Sequence, residues 1–360
     1  MSLAINQTIT NSITIPGASY IPGLVFRRFR GEADYPNIWA IISACKEVDG
    51  TERTDTLQDV ARNYAHLHNC DPYQDMCFAE VGGKVVAYTR GWWETDGDGN
   101  WLGFNLGFLV PAWRGRGIGR ALLSFIENRL REVAARLIET GQLSASMPRY
   151  FNNTASDTET AKEALLLHAG YKPIRHEFNM VRPDLENIPG APLPLGLEVR
   201  PVLPEHYRTI WDASNEAFRD HWGYIPTPEE EFQKMLGDPI FDPTLWRVAW
   251  DGDQVAGMVL SFINKAENIE YNRKRGYTEN ICVRRPWRKR GLAHALIASS
   301  LYALKERGMT KAALGVDAEN ISGALCLYES MGFRVVKRTT IYRKEMRDLI
   351  PDTWHLAHDI

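Results

Sequence analysis

Residues 103–133 read GFNLGFLVPAWRGRGIGRALLSFIENRLREV, and residues 277–308 read YTENICVRRPWRKRGLAHALIASSLYALKERG. Each stretch predicts the same succession: a strand, a short turn with Pro and Trp, an Arg/Gly-rich loop, and a long helix. In the second copy Leu292, Leu296, Ile297, Leu301 and Leu304 recur at helical spacing and define one apolar face. Ile118, Leu122, Leu123, Ile126, Leu130 and Val133 do the same in the first. Arg114 and Arg288 stand 174 positions apart, as do Gly117 and Gly291, and Gly119 and Ala293. Further out, Ile38-Trp39 parallels Ile210-Trp211 and Val86-Ala87 parallels Val255-Ala256, in the same order. The chain reads as a tandem duplication of one domain. Residues 183–196, PDLENIPGAPLPLG, hold four prolines and no periodicity, which predicts an extended linker at 186–194. The expected domains are 1–185 and 195–360. Within the second, 319–332 is predicted as a helix and 333–346 as closing strands.

A chain of 360 residues suits two domains of ordinary size. Forty-two Lys+Arg against forty-five Asp+Glu leave a net charge of −3, which argues against nucleic acid as a general partner. Five cysteines form no C-x-x-C pair and read as reduced thiols. The first basic residue is Arg27, so no charged leader region is predicted, and no apolar run reaches the ~18 residues of a membrane span. The expected setting is the cytoplasm. His66-Leu67-His68-Asn69-Cys70 and the acidic turn Asp96–Asn100 match neither a zinc nor a calcium spacing, so no metal is expected.

The loops carry the chemistry. Arg288, Lys289, Arg290, Gly291, Leu292 and Ala293 lie where a strand hands over to a helix. Free helix N–H groups, positive charge and small residues there suit an anion that touches the main chain. Arg114, Gly115, Arg116, Gly117 and Gly119 repeat that logic. The glycine spacing is not G-x-G-x-x-G, and no G-x-x-x-x-G-K-[ST] occurs, which sets aside dinucleotide and triphosphate sites.

R-x-x-G-x-[GA] in this position resembles motif A of the GCN5-related N-acetyltransferases. Asn320, Ala324, Leu327-Tyr328 and Gly332-Phe333 resemble motif B of the same family. The resemblance implies an α+β fold in each half, with a mixed, mostly antiparallel sheet flanked by helices. It implies acetyl-CoA as cofactor, its pyrophosphate on the Arg/Gly loops, its thioester beside Ile281, Cys282 and Val283, and Asn320 as a further contact. Tyr328 is the implied general acid toward the departing sulfur, and Glu279 the implied general base. Strand alternation puts Glu279, Ile281 and Val283 on one face. Asp220, His221 and Trp222 fall where family members line the acceptor pocket, with Asp220 toward a cationic amine and His221 as a second candidate base. Aligned on the second half, the first carries Asn105 for Glu279, Leu166 for Tyr328 and Thr158 for Asn320. The second half is therefore expected to be catalytic and the first degenerate. The implied reaction is acetyl transfer to a primary amine of a small molecule, by direct attack, in a monomer or homodimer. A CoA-binding sensor or scaffold and a tRNA-dependent aminoacyl transferase are the alternatives, and acceptor-dependent thiol release separates them.

Overall fold

A computed structural model describes residues 12–320 and 323–347. The first half runs β1 (Ser12–Ile13), β2 (Leu24–Arg27), α1 (Tyr35–Lys46), α2 (Leu57–Ala65), β3 (Met76–Val81), β4 (Lys84–Thr95), β5 (Trp101–Leu109), α3 (Ile118–Glu139), β6 (Arg149–Ser156), α4 (Thr160–His168) and β7 (Lys172–Arg182). The second half repeats this order: β8 (Glu198–Val199), α5 (Tyr207–Phe218), α6 (Glu229–Leu236), β9 (Arg247–Asp251), β10 (Gln254–Phe262), α7 (Lys265–Glu270), β11 (Arg275–Val283), α8 (Leu292–Glu306), β12 (Lys311–Asp317), α9 (Ala324–Ser330) and β13 (Arg334–Glu345). Among the described residues, β1 of the first half and α7 of the second have no counterpart. The stripes read from sequence on α3 and α8 are buried and form the centres of two hydrophobic cores.

Each half was expected to carry its own sheet. Among the described residues all thirteen strands instead form one sheet, ordered β1-β2-β3-β4-β5-β6-β13-β7-β12-β11-β10-β9-β8. The last strand of each half crosses to the other: β13 pairs with β6, and β7 pairs with β12. β7 and β13 also pair antiparallel with each other. The crossing leaves no open strand edge at the junction. The segment read from sequence as a linker at 186–194 does not divide the sheet. That segment also docks rather than hanging free. Leu185 and Ile188 are buried in the second core, and the Arg182 guanidinium donates to the carbonyls of Met331 and Glu186.

Two further expectations change. The helix foreseen from residue 319 begins at Ala324, behind Gly323 in the left-handed region (φ 77°). Residues 333–346 hold one long strand rather than several, because β13 needs its full length to pair on both sides.

Beyond the sheet, the halves are joined by ion pairs. Glu52 of the first half accepts from Arg273 (2.8 Å) and Arg275 (2.7 Å) of the second, and both arginines also meet Glu267. Burial alone would raise the Glu52 pKa; the hydrogen bonds from Arg273 and Arg275 outweigh it and hold the group at about 2. The folded pKa lies below the ordinary 4.5, so this stabilisation is complete above pH 4.5 and fades as pH falls toward 2. Because Glu52 is half-exposed and screened by solvent, the contribution is on the order of 1 kcal/mol. Glu52→Gln is expected to lower the thermal midpoint by about 2 °C at pH 7, with the difference shrinking at high salt and below pH 4. Calorimetric scans of both proteins across pH check this.

Candidate active site

β11 and β12 run parallel, but they pair only over Arg275–Tyr277 and Lys311–Ala313. Beyond those residues the strands part, and a cavity of about 550 Å³ opens between them. At the same place β11 bulges. Asn280 takes a left-handed φ of 48°, and the register with β10 slips between Leu260–Glu279 and Met258–Cys282. Neither Asn280 nor Ile281 has a register partner on β10. The bulge overturns the alternation read from sequence. Gly276 packs on Leu304, and a side chain on Gly257 would meet both Leu292 and Val283, so residues 276 and 283 face the same helix, α8. Strict alternation forbids that for residues seven apart. Ile281 and Val283 therefore share the α8 side, Cys282 packs toward α5, and Glu279, ahead of the bulge, opens into the cavity.

The cavity wall holds Glu279, Ile281, Asn320, Tyr328, His221 and Trp222 of the second half. It also holds Phe104, Asn152, Arg175 and Glu177 of the first, with Arg343 on the crossed strand β13. Glu279 is half-buried, and its Oε1 accepts the Gly315 N–H at 3.1 Å. Burial pushes its pKa up to about 7, against a smaller lowering by Gly315. Tyr328 is buried; burial first, then the Glu279 carboxylate once it ionises, hold its phenol above the ordinary range, so it keeps its proton. Burial lowers the pKa of His221, whose ring packs on Phe218 with centroids 4.5 Å apart. Burial pushes the Cys282 thiol up to about 12, which excludes a thiolate nucleophile there at neutral pH.

Beside the cavity, the loop from Arg284 leads into α8. Lys289 (φ 60°) and Gly291 (φ 83°) take left-handed backbone conformations, and no side chain caps the helix. Where a Cβ on Gly291 would project, no atom lies within 4 Å. This is an open cradle of N–H groups at a helix N-terminus. Arg288 does not face it as a free charge. Its Nε donates to the Val283 carbonyl (2.9 Å) and its Nη1 to Asp220 (2.7 Å). Asp220 therefore moves from the acceptor pocket, where sequence placed it, to the support of the loop. Arg285 and Arg288 bracket its carboxylate and hold its pKa well below the usual range.

The first half repeats this scaffold. Arg114 donates to the Leu109 carbonyl (3.1 Å) and, through both terminal nitrogens, to Asp49. Gly115, Arg116, Gly117 and Gly119 line a groove of about 740 Å³. Three things differ. The Ser19 side chain lies on Gly117, where Gly291 is open. β5 pairs with β4 without a bulge. Asn105, in the place of Glu279, is held by Asn153 (2.6 Å) and Tyr171 (3.4 Å), and Leu166 stands for Tyr328. Thr158 bonds the Asp49 carbonyl at 2.6 Å.

The sequence profile of the acetyltransferase (GNAT) family matches residues 36–147 and again residues 207–333. The chain belongs to the acetyltransferase (GNAT) family. As a tandem GNAT protein it is 28% identical over 249 residues to a mycothiol acetyltransferase of Streptomyces scabiei, covering 65% of this chain and 69% of that one. A mycothiol acetyltransferase of Salinispora tropica is 31% identical over 226 residues, covering 62% of this chain and 67% of that one. Among solved structures, a GCN5-related N-acetyltransferase from Sphaerobacter thermophilus superposes with a TM-score of 0.67 at 26% identity, covering 92% of this chain and 98% of that one. A tandem GNAT protein from the clavulanic acid biosynthesis pathway shares the fold, with a TM-score of 0.60 at 16% identity, over 89% of this chain and 98% of that one. Among the described residues, no helix is long and apolar enough to cross a membrane.

The cavity residues Phe104, Asn152, Arg175 and Glu177 of the first half, and Arg343 on the crossed strand, were not readable as site residues of this GNAT protein. They lie on ordinary strands with no motif. The crossing of β7 and β13 brings them there.

Proposed function

We propose that the protein transfers an acetyl group from acetyl-CoA to a primary amine of a small molecule, by direct attack within a ternary complex. One observation carries this reading: the half-buried carboxyl group of Glu279 and the buried phenol of Tyr328 line one cavity beside a helix N-terminus that no side chain caps. The open Gly291 and the parted strands fit a long ligand with a phosphate at the loop and its reactive end at Ile281–Val283. Lys289, Arg290, Gly291, Leu292 and Ala293 would hold the pyrophosphate, with Arg288 holding the loop; Asn320 lines the cavity beyond. Acetyl-CoA supplies the acetyl group as an activated thioester. Glu279 takes a proton from the amine as its nitrogen bonds the carbonyl carbon. Tyr328 gives its proton to the sulfur as the carbon–sulfur bond breaks. His221 and Trp222 shape the acceptor end.

The first half has a groove around Arg114, Gly115, Arg116, Gly117 and Gly119 but carries Asn105 and Leu166 in the places of Glu279 and Tyr328, and we assign it no turnover. The relatives' name, mycothiol acetyltransferase, supports a small-molecule acceptor. A calorimetric titration with acetyl-CoA tests the reading. Gly291→Glu places a carboxylate in the cradle and a side chain at a left-handed φ, and is expected to weaken binding there more than tenfold. A site that survives in the variant reports binding in the first groove. No binding to the wild-type protein at millimolar ligand would overturn the proposal.

A further inference from the structure

We infer that Arg343 recognises a carboxylate on the acceptor, at the end of the cavity remote from the reacting amine. The inference rests on the acetyl-transfer reading and adds the acceptor's chemical class.

Two guanidinium groups flank the Trp222 ring in the cavity, Arg175 at 4.7 Å and Arg343 at 5.5 Å from its centroid. They differ in one respect. Arg175 is neutralised by a two-pronged pair with Asp317, at 2.8 and 2.6 Å. Arg343 forms no ion pair among the described residues. Its Nε donates to Asn152 Oδ1 at 3.0 Å, and its Cζ lies 4.9 Å from the Tyr150 centroid. Asp96 and Asp98 act on it only through space, and the Asp96 carboxylate is occupied by Asp98 and Asn100 of its own turn. Asn152 and the two rings thus orient the guanidinium, while its terminal nitrogens remain for another partner. A half-buried, pre-oriented planar fork is the geometry that binds a carboxylate through two parallel hydrogen bonds.

The rest of the cavity has the opposite polarity. Glu279 and Glu177 both line it, and neither forms an ion pair among the described residues. The cavity is therefore acidic toward β11 and basic toward β6. An amine at the Glu279 end and a carboxylate at the Arg343 end satisfy both. Strand register sets the span. Glu279 bonds Gly315, Gly315 is opposite Asn179, and Asn179 is opposite Lys337 on β13. Arg343 lies six residues further along β13. At about 3.3 Å per residue and about 4.8 Å per strand, less the reach of the arginine, the two ends are on the order of 15 Å apart. The acceptor is accordingly an elongated amino acid or a derivative that keeps a free carboxylate.

The probes are ω-amino acids of six, eight, ten and twelve carbons, each beside its primary amide, with CoA present. Calorimetry on the wild-type protein is expected to show at least one acid binding tenfold or more tighter than its amide. In Arg343→Met that preference is expected to vanish through weaker binding of the acid, with amide affinity within about twofold. Arg343→Lys, which keeps the charge but not the fork, is expected to recover part of it. Unchanged thermal unfolding and acetyl-CoA titration show that the variants are folded. Equal binding of acid and amide at every length, no binding of any acid at millimolar concentration, or a preference that survives Arg343→Met each overturns the inference. Thiol release from acetyl-CoA is read separately. Acid-selective binding without turnover sinks the transfer reading and leaves Arg343 standing, whereas equal turnover of acid and amide does the reverse.

Discussion

Replacing Tyr328 by phenylalanine is expected to lower kcat by about 10²- to 10³-fold while acetyl-CoA affinity stays within about twofold. The two rings have the same shape, so the packing of Tyr328 in the second core is kept. Only the hydroxyl is lost. Burial first, and then the Glu279 carboxylate once it ionises, keep that hydroxyl protonated across the working pH range. A proton held this firmly is available to the sulfur only as negative charge develops there. A loss confined to kcat is the signature of an interaction made in the transition state. Steady-state rates of thiol release, paired with an equilibrium titration of acetyl-CoA, measure the two quantities. A variant with the wild-type kcat removes Tyr328 from the mechanism.

The second large effect is expected at Glu279. Glu279→Gln is expected to lower kcat/KM by about 10²-fold or more and to change the pH profile. Only the carboxylate form accepts a proton. With a pKa of about 7, the wild-type rate should climb with pH, reach half its plateau near pH 7, and level off above it. In the glutamine variant that limb should disappear. His221, lowered by burial, titrates on the acid side of its ordinary 6.5. His221→Asn should therefore keep a limb near pH 7. If that limb follows His221 instead, the base is reassigned.

Stability separates a chemical role for Glu279 from a structural one. Its folded pKa lies above the ordinary 4.5, so burying its charge costs stability that is absent below pH 4.5 and complete above pH 7. Glu279→Gln should then be at least as stable as the wild type at pH 8. A variant that is inactive but no less stable identifies chemistry as the loss, and thermal scans at pH 5 and pH 8 read it directly.

The tandem repeat, the two Arg/Gly loops and the positions of Glu279 and Tyr328 were legible because they are local. A left-handed residue before a helix favours glycine, an apolar stripe must recur with the helical period, and a motif keeps its spacing on a single element. The Asn105 and Leu166 replacements in the first half were readable for the same reason. Asp220 was misplaced because its partners, Arg285 and Arg288, lie more than sixty positions away, and spacing says nothing about such a pair. The bulge at Asn280 left only a faint local mark, since asparagine tolerates a left-handed φ, yet it turns Glu279 away from the face that alternation assigned. Sequence alone determined that the chain is a duplicated acetyltransferase fold and that Glu279 and Tyr328 have no counterpart carboxyl or phenol at the aligned positions of the first half. Tertiary structure alone decided that β7 and β13 cross, and hence that Arg175, Glu177 and Arg343 stand around the cavity that holds Glu279 and Tyr328. The reason is physical: strand partners are chosen by backbone pairing across the whole chain, and that choice leaves no periodic or motif-like trace in the residues it brings together.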